Sequence, residues 1–321
     1  MTAPHSVILL IFPDFQLLDA SGPADVFASV AEHQPGAAYA LRAVSPEGGL
    51  VHSSTGLELM SEALPEPASL VGCTLLVAGG YGVQKVLAQG RLAAWLRDAA
   101  PHVRRCGAIC TGAFLLAQAG LLDGRPVVTH WRYAALLQRL FPRLRVLEDA
   151  LFVRDERFYS SAGVTAGMDL CLSLVEEDHG RELSLRVAKG LVMYLRRPGG
   201  QRQFSAELLA QQAPSGGLAE RLVACLREHL HEALDVEEMA ARMAVSSRTL
   251  HRHCQSALGV SPAKLLLQLR LEAACRLLEG DSASLKRTAE RTGFGSEYNL
   301  RRAFVETLGV TPSEYRQRFC R

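Results

Sequence analysis

Long hydrophobic runs and a basic leader segment are both missing from the 321 residues of this chain. No apolar run approaches the ~18 residues that a membrane-spanning helix needs. The first residues, MTAPHSVILLIF, contain a short apolar run with no preceding Lys or Arg, and we interpret it as a strand rather than a signal peptide. These absences predict a cytoplasmic protein with no membrane partner.

Cys-x-x-Cys pairs are missing as well, although the chain has eight cysteines. In a cytoplasmic protein of this length, that absence argues against a disulfide framework and against a zinc site. We therefore expect no metal and no cofactor. Most of the cysteines lie in apolar stretches and are interpreted as small buried side chains. Cys110 differs because it lies on a predicted turn.

An excess of charge of one sign is the third absence, since 35 Lys and Arg stand against 33 Asp and Glu. Charge alone therefore does not indicate a nucleic-acid-binding protein. A hydrophobic content of 48% is ordinary for a soluble protein with a packed core. The length itself suggests two domains of ~100–200 residues each.

The order of β-rich and helical patterns predicts the fold class. Residues 1–197 alternate the two patterns, which predicts an α/β doubly wound, mostly parallel sheet covered by helices. Residues 198–217 are rich in Gly, Gln, Pro and Ser and are predicted to be a linker. Residues 218–321 have only helical patterns and predict an all-α domain. The strand predictions are residues 6–12, 39–45, 74–80, 105–109 and 125–130, with an extended segment or a hairpin over 151–161.

The helical part contains an internal repeat. Residues 243–262 align without a gap with residues 293–312, at an offset of 50 residues. Arg252 then matches Arg302. Each copy predicts a short helix, a tight turn and a second helix, which is the helix-turn-helix pattern. Two such copies in tandem are a far more specific signal than one.

Each second helix of the repeat has an apolar face and a hydrogen-bonding face. The apolar residues, spaced by four and predicted to face the core, are Leu250, Cys254, Leu258, Leu300, Phe304 and Leu308. The opposite face is expected to enter a major groove of DNA. The predicted helix over residues 261–279 would hold the second helices of the two copies about 34 Å apart, so that they enter successive major grooves. The candidate DNA-binding residues are Ser246, Ser247, Arg248, His251, Arg252, Ser296, Glu297, Asn299, Arg301 and Arg302. Whether each contacts a base or only a phosphate stays open.

Residues 219–321 resemble the DNA-binding domain of the AraC/XylS family of bacterial transcription regulators. The resemblance is carried by AERTGFGSEYNLRRAFVETLGVTPSEYRQRF, with its Gly-Phe pair, its Gly-Val-Thr-Pro segment and its closing Glu-Tyr-Arg. It implies that double-stranded promoter DNA is the partner of this part of the chain.

Cys110 lies in CGAICTGAF, between a predicted strand and a predicted helix. A strand that turns sharply into a helix lifts one side chain at the end of a sheet. The free N–H groups at the helix start would favour a reactive thiolate there. Loops that contain Asp19 and Gly80 are expected at the same edge, where the N–H groups of Gly80 and Tyr81 could hold an anion or a carbonyl oxygen. The candidate ligand-binding residues are Asp19, Gly80, Tyr81, Cys110, Thr111 and His130.

Residues 6–197 resemble the class I glutamine-amidotransferase-like domain of the ThiJ/PfpI superfamily, which implies a flavodoxin-like fold. The segments that carry the resemblance are LLDASGPADVF, VAGGYG, CGAICTGAFLLAQAGLLDGRPVVTHW and SSAGVTAGMDLCL. The third is most similar to isonitrile hydratases and to GlxA-type regulators. In the hydratase pattern an acid pairs with the nucleophile, which implies Asp19 and Cys110 here. Thr111 stands where other branches have a histidine base.

Several interpretations of these residues stay open. Cys110 could be an inert remnant of an enzyme fold, part of a sensor pocket without turnover, or a nucleophile with Asp19 as its acid/base partner. Oxidation of Cys110 in a redox sensor is a further hypothesis. Asp19 could instead cap the helix that begins near Pro23. His130 is better interpreted as a helix N-cap or a core-edge residue than as a base.

The fusion of the two halves resembles the GlxA-type AraC-family regulators over nearly the whole chain. It implies a ligand-responsive transcription regulator that senses a small nitrogen metabolite, such as an amino acid or a quaternary amine, and forms a homodimer. An enzyme is not expected. The alternative is a bifunctional protein with isonitrile hydratase or amidase-like activity at Cys110.

We predict that Arg252→Ala and Arg302→Ala each weaken binding to a duplex selected by the wild-type protein. The two arginines hold matched places in the repeat, and each removed contact is expected to cost roughly 1–3 kcal/mol, or about 5- to 150-fold in affinity. Gel-shift titration measures both. Unchanged affinity for both variants would reject the alignment of the repeats.

Overall fold

The computed structural model describes residues 5–147, 150–193, 217–258, 260–280, 284–308 and 311–319. The chain divides into two compact units, Met1–Gln203 and Phe204–Arg321. Apart from Gly217, the predicted linker at 198–217 lies outside the described residues, so the boundaries around it stay predictions. None of the described helices is long and apolar enough to span a membrane.

An eight-stranded sheet forms the centre of the first unit. Its strands are β1 (His5–Leu10), β2 (Tyr39–Ser45), β3 (Gly49–His52), β4 (Glu58–Ala63), β5 (Thr74–Val77), β6 (Arg105–Ile109), β9 (Phe152–Asp155) and β10 (Phe158–Ser161), while β7 (Pro126–Val127) and β8 (Arg145–Val146) form a separate pair. The order is β3-β4-β2-β1-β5-β6-β10-β9. The six central strands are parallel and each edge strand is antiparallel, which confirms the mostly parallel sheet.

The sheet is buried on both faces because its central strands are apolar on both sides. Ile8 and Leu10 belong to one hydrophobic core, and Val7 and Leu9 of the same strand belong to the other. This alternation follows from the two-residue period of a strand. The covering helices are α1 (Leu17–His33), α2 (Val83–Gln89), α3 (Arg91–Ala99), α4 (Ala113–Gln118), α5 (Trp131–Leu140), α6 (Thr165–His179) and α7 (Arg181–Gly190).

Predicted and observed elements differ at several places, and the predicted strands 6–12 and 74–80 are observed as the shorter β1 and β5. Strands 39–45 and 105–109 have the predicted bounds, but the predicted strand at 125–130 is reduced to β7 outside the main sheet. The hairpin of β3 and β4 carries mostly exposed residues, and no strand was predicted there. Helix α1 begins at Leu17, so Pro23 lies inside it rather than in its first turn.

The amino ends of the central strands are held by a buried ion pair. Arg105 donates to both oxygens of Asp178 at 2.7 Å, and the Tyr39 hydroxyl donates to the same carboxylate at 2.9 Å. Burial raises the pKa of Asp178, but the hydrogen bonds from Arg105 and Tyr39 outweigh it and lower that pKa below its usual range. This network lies at the opposite end of β6 from Cys110.

The described part of the second unit contains helices only. They are α8 (Leu218–Glu228), α9 (Val236–Arg242), α10 (Ser247–Leu258), α11 (Pro262–Gly280), α12 (Leu285–Arg291), α13 (Glu297–Leu308) and α14 (Pro312–Phe319). All six residues predicted to form the apolar faces of α10 and α13 are at most 5% exposed. The prediction of two helix-turn-helix units is confirmed, with α9–α10 as the first and α12–α13 as the second.

The two turns are not identical, although the repeat aligns without a gap. The first turn, residues 243–246, has one residue in the left-handed region, Ala244 at φ 55°. The second turn, residues 292–296, is one residue longer and has two glycines there, Gly293 at φ 73° and Gly295 at φ 71°. Glycine adopts this conformation without steric cost.

Candidate functional site

Cys110 stands on a sharp turn between β6 and α4. Its backbone φ is 55°, in the left-handed region that non-glycine residues rarely adopt. A short 3-10 turn, Cys110–Gly112, leads directly into α4. The Thr129 hydroxyl donates to the carbonyl of Cys110 at 2.8 Å and so holds the turn in place. The predicted strand, turn and helix are all present.

Two glycines allow neighbouring loops to approach this turn. A Cβ on Gly163 would overlap the Cβ of Cys110. A Cβ on Gly79 would lie 2.7 Å from the Cβ of Cys110 and 2.6 Å from the backbone nitrogen of Thr111. Because the obstructing atoms belong to the backbone or to a short side chain, neither position can accept a side chain without moving the turn.

Asp19 ties these loops together beneath the turn. Its Oδ2 accepts from the Gly79 N–H at 3.0 Å, and its Oδ1 accepts from the Val164 N–H at 2.7 Å. The thiol of Cys110 is a third hydrogen-bond partner. The hypothesis that Asp19 caps its own helix is wrong, because both oxygens bond to other loops.

The pKa values of this pair contradict the expected reactive thiolate. Burial raises the pKa of Asp19 to about 6, against the hydrogen bonds from Val164, Gly79 and Cys110, which lower it. Burial also raises the pKa of the Cys110 thiol well above its usual range, and the nearby Asp19 charge raises it further. The N–H of Thr111 acts in the other direction but is outweighed. Cys110 is therefore a protonated thiol at neutral pH, and the expected low pKa is wrong.

A cavity of about 150 Å³ opens above Cys110. Its lining contains five of the six predicted ligand-binding residues. The exception is Asp19, which is 1% exposed and does not line the cavity. Its predicted direct contact with a ligand is thus corrected, because the loops that it binds cover it. The lining residues are Gln16, Gly80, Tyr81, Cys110, Thr111, His130, Arg132, Tyr133 and Val164.

The Gly80 N–H does not face the cavity as a free donor. It donates to the Thr111 Oγ1 at 2.8 Å, and that hydroxyl donates back to the Gly80 carbonyl at 3.1 Å. The expectation that this N–H holds a ligand oxygen is therefore wrong, because the side chain next to Cys110 already uses it. The pairing instead joins the loop after β5 to the Cys110 turn.

His130 is the N-cap of α5, as favoured above. Its Nδ1 accepts from the Arg132 N–H at 3.3 Å, so the neutral ring carries its proton on Nε2. Burial lowers the pKa of His130, and Arg132 lowers it further, which favours this neutral form. The rings of Trp131 and Tyr133 lie 5.6 and 6.0 Å from the ring of His130.

Four lining residues were missed in the sequence. Arg132 and Tyr133 directly follow His130, and that adjacency was the available signal. Gln16 lies three residues before Asp19 in the chain. Val164 lies at the cavity because its N–H donates to the Asp19 carboxylate. Val164 lies in the segment SSAGVTAGMDLCL, whose family resemblance was the available signal.

The candidate DNA-binding residues occupy the outer faces of α10 and α13, which we call the recognition helices. The hydroxyls of Ser246 and Ser296 cap the two helices. Each accepts a hydrogen bond at 3.2 Å from the backbone N–H three residues later, that of Thr249 and that of Asn299. The Asn299 side chain also donates to the Phe294 carbonyl at 3.1 Å, within the turn. The residues with exposed side chains on these faces are Arg248, His251, Arg252, Glu297, Asn299, Arg301 and Arg302, while Ser247 is half-buried.

One exposed residue on this face is not among the candidates predicted from the sequence. Tyr298 is 71% exposed and takes the place of Arg248 in the repeat. Arg302 pairs weakly with Glu306, one turn further along α13, at 3.9 Å. The two recognition helices therefore present different side chains at matched positions.

Known protein families match each of the two units of the chain. Residues 5–177 match the DJ-1/PfpI family, and residues 239–318 match a helix-turn-helix domain family. The fold and the site thus define a DJ-1/PfpI-type domain that is joined to a DNA-binding domain.

Similar full-length proteins have the same combination. The chain is 32% identical to the HTH-type transcriptional regulator GbdR of Pseudomonas aeruginosa over 314 residues, 98% of this chain and 84% of that protein. It is 30% identical to the HTH-type transcriptional regulator GlxA of Rhizobium meliloti, over 87% of this chain and 86% of that protein. A crystal structure of an AraC family transcriptional regulator from Pseudomonas putida superposes with a TM-score of 0.52 at 27% identity, over 59% of this chain and 100% of that one.

The chain belongs to the family of AraC-type helix-turn-helix transcription regulators with a DJ-1/PfpI domain. It is a ligand-responsive, DNA-binding regulator, which confirms the resemblance to the GlxA-type proteins.

The raised pKa of Asp19 predicts a pH-dependent stability of the first unit. The folded pKa of about 6 exceeds the ordinary value of 3.8, so folding binds a proton. The associated stability is fully present below pH 3.8 and is lost as the pH rises through 6. Asp19→Asn cannot titrate. We expect the free energy of unfolding of the wild type, relative to this variant, to fall by roughly 2.5 kcal/mol between pH 4 and pH 7.

Urea unfolding followed by tryptophan fluorescence measures this difference, because both tryptophans, Trp95 and Trp131, lie in the first unit. Asp25→Asn is the matched control, since Asp25 is exposed on the same helix. A difference between wild type and Asp19→Asn that stays constant with pH would contradict the assignment.

Proposed function

We propose that the cavity above Cys110 is the effector site of this regulator. The observation that carries the proposal is the meeting of three loops at the carboxyl ends of the parallel strands, held by Asp19 around an enclosed thiol. The cavity volume of about 150 Å³ is well below the roughly 300–1,000 Å³ of pockets for drug-sized ligands. The effector is accordingly a small metabolite.

The lining favours an effector with a carboxylate. Among the described residues that line the cavity, Arg132 is the one full charge, and no acidic side chain accompanies it. The Nε2–H of neutral His130 adds a donor. Tyr81 and Tyr133 offer aromatic faces that suit a cationic or apolar group. A small amino-acid-like or betaine-like compound combines these features, in line with the nitrogen metabolite that the resemblance implies.

Binding without turnover is supported by the state of the thiol. A cysteine nucleophile reacts as the thiolate, and burial together with Asp19 keeps Cys110 protonated. Both oxygens of Asp19 already accept backbone N–H groups. We therefore propose that this pair shapes the sensor cavity and performs no catalysis.

We further propose that the exposed faces of the recognition helices bind an operator. Arginine side chains suit guanine edges or phosphates, and Glu297 suits a cytosine amino group. Ser246 and Ser296 act mainly by placing the first turn of each helix. The full regulator would act in the cytoplasm as a homodimer formed through the first unit, as the resemblance implies.

A thermal-shift panel of small amino acids and quaternary-amine carboxylates tests the effector site. We expect at least one compound to raise the Tm of the full-length protein by several degrees when it is present at ~100 times its Kd. Arg132→Gln should lose most of that shift, because the carboxylate loses its cationic partner.

Arg139→Gln, exposed on the same helix as Arg132, should keep the shift. Cys110→Ala should alter the shift while leaving DNA affinity in the absence of effector unchanged. A carboxylate compound that stabilises wild type and Arg132→Gln equally would refute the placement of the effector.

The contact between Cys110 and Asp19 favours one second candidate, an isonitrile hydratase or amidase-like activity. Incubation of the purified protein with isonitriles and simple amides tests it by product analysis. We expect no product beyond that of Cys110→Ala. Product that forms with the wild type and disappears in Cys110→Ala would establish catalysis and reject the sensor without turnover.

A further inference from the structure

The helix that joins the two helix-turn-helix units contains an arginine whose hydrogen-bond partners are backbone carbonyls. Arg270 lies near the middle of α11 and is half-buried. Its Nε donates to the Leu230 carbonyl at 3.1 Å, and its Nη2 donates to the Glu232 carbonyl at 2.5 Å. No acidic side chain of the described residues forms an ion pair with it. Burial lowers the pKa of Arg270 from its usual value.

The carbonyls that Arg270 binds lie directly before the first helix-turn-helix. Leu230 and Glu232 lie in the segment 229–235, which connects α8 to α9. The Glu232 carboxylate in turn pairs with Arg242, the last residue of α9. Arg270 is thus connected through one residue to the helix that precedes the first turn.

The turn of the second helix-turn-helix lies next to the same guanidinium. Gly293, in the second turn, lies so close that a Cβ there would overlap the Leu230 carbonyl and come within 2.6 Å of the Arg270 Nε. Both the left-handed φ of 73° and this contact require glycine at the position. The guanidinium therefore lies where the segment 229–235, which precedes the first helix-turn-helix, meets the turn of the second helix-turn-helix.

The apolar packing around α11 changes at the same residue. Leu265, Leu266 and Leu269 belong to the hydrophobic core that they form with residues of α8, α9 and α10. Leu271 and Leu278 are buried but do not belong to that core. Apolar packing is non-directional, whereas the planar guanidinium forms hydrogen bonds with a defined geometry. Arg270 supplies directional hydrogen bonds at the point where the apolar packing changes.

We propose that Arg270 is a positioning residue for DNA binding, whose guanidinium, held by the Leu230 and Glu232 carbonyls against Gly293, fixes one recognition helix relative to the other. The inference rests on the proposed role of these helices. It goes further by assigning the half-site spacing that the protein accepts to one side chain. Each base pair inserted between half-sites moves the second by about 3.4 Å and about 35° around the duplex, since one turn takes ~10 base pairs.

The test uses the full-length protein and a duplex selected by the wild type from random sequences. Derivatives of that duplex carry one, two or five inserted base pairs between the half-sites, or one scrambled half-site. We expect the wild type to lose about tenfold or more in affinity on insertion, because both helices no longer engage together. Arg270→Gln should bind the selected duplex about tenfold more weakly and lose less than about threefold on insertion. Its affinity for the half-site duplex should equal that of the wild type.

Arg276→Gln is the matched control, because Arg276 is exposed on the same helix and should keep the wild-type spacing profile. If Arg270→Gln also loses half-site binding, Arg270→Lys replaces it, since lysine keeps the charge but cannot bridge two carbonyls with a rigid fork. A flattened spacing profile in that variant supports the proposal.

Two results would overturn the inference about Arg270 and leave the proposed DNA contacts intact. One is a wild-type insertion penalty in an Arg270 variant with intact half-site binding. The other is loss of half-site binding in both variants, which would make Arg270 a purely structural residue. Failure of the proposed DNA contacts looks different, because the wild type itself would show no spacing preference and Arg252→Ala and Arg302→Ala would bind normally.

Discussion

The carboxylate of Asp19 is the contact on which the proposed effector site depends. It accepts one N–H from the loop after β5 and one from the loop before α6, and it lies against the Cys110 thiol. Without this acceptor, two buried N–H groups at the edge of the sheet would lose their partner, which costs roughly 1–3 kcal/mol each. The cavity above Cys110 has its shape because one buried acid holds three elements together.

The same contact connects an enzyme-like arrangement with the proposed sensing role. The sharp turn, the left-handed Cys110 and the neighbouring acid are all retained, yet burial and the nearby acid keep the thiol protonated. One wall of the cavity is formed by His130, Arg132 and Tyr133, at the start of α5. In the second unit, Arg270 has the comparable role of joining segments that packing alone would leave less defined.

Local patterns predicted much of both units. Strands 39–45 and 105–109 were predicted with their observed bounds because each is a short run between helical or turn segments, although 39–45 is only half-buried in its middle while 105–109 is buried throughout. The four-residue spacing of Leu250, Cys254 and Leu258 predicted their burial, because a helix has a fixed period. The exposed hairpin of β3 and β4 escaped prediction, since it has no comparable apolar pattern.

The sequence by itself determined the fold class, the duplicated helix-turn-helix pattern and the turn that carries Cys110, because each depends on residues near one another in the chain. Only the tertiary structure decided that Asp19 is buried, that the Gly80 N–H is taken by Thr111, and that the thiol is protonated. Those properties depend on which distant segments share one water-excluded space, and burial shifts a pKa in ways that no local pattern encodes.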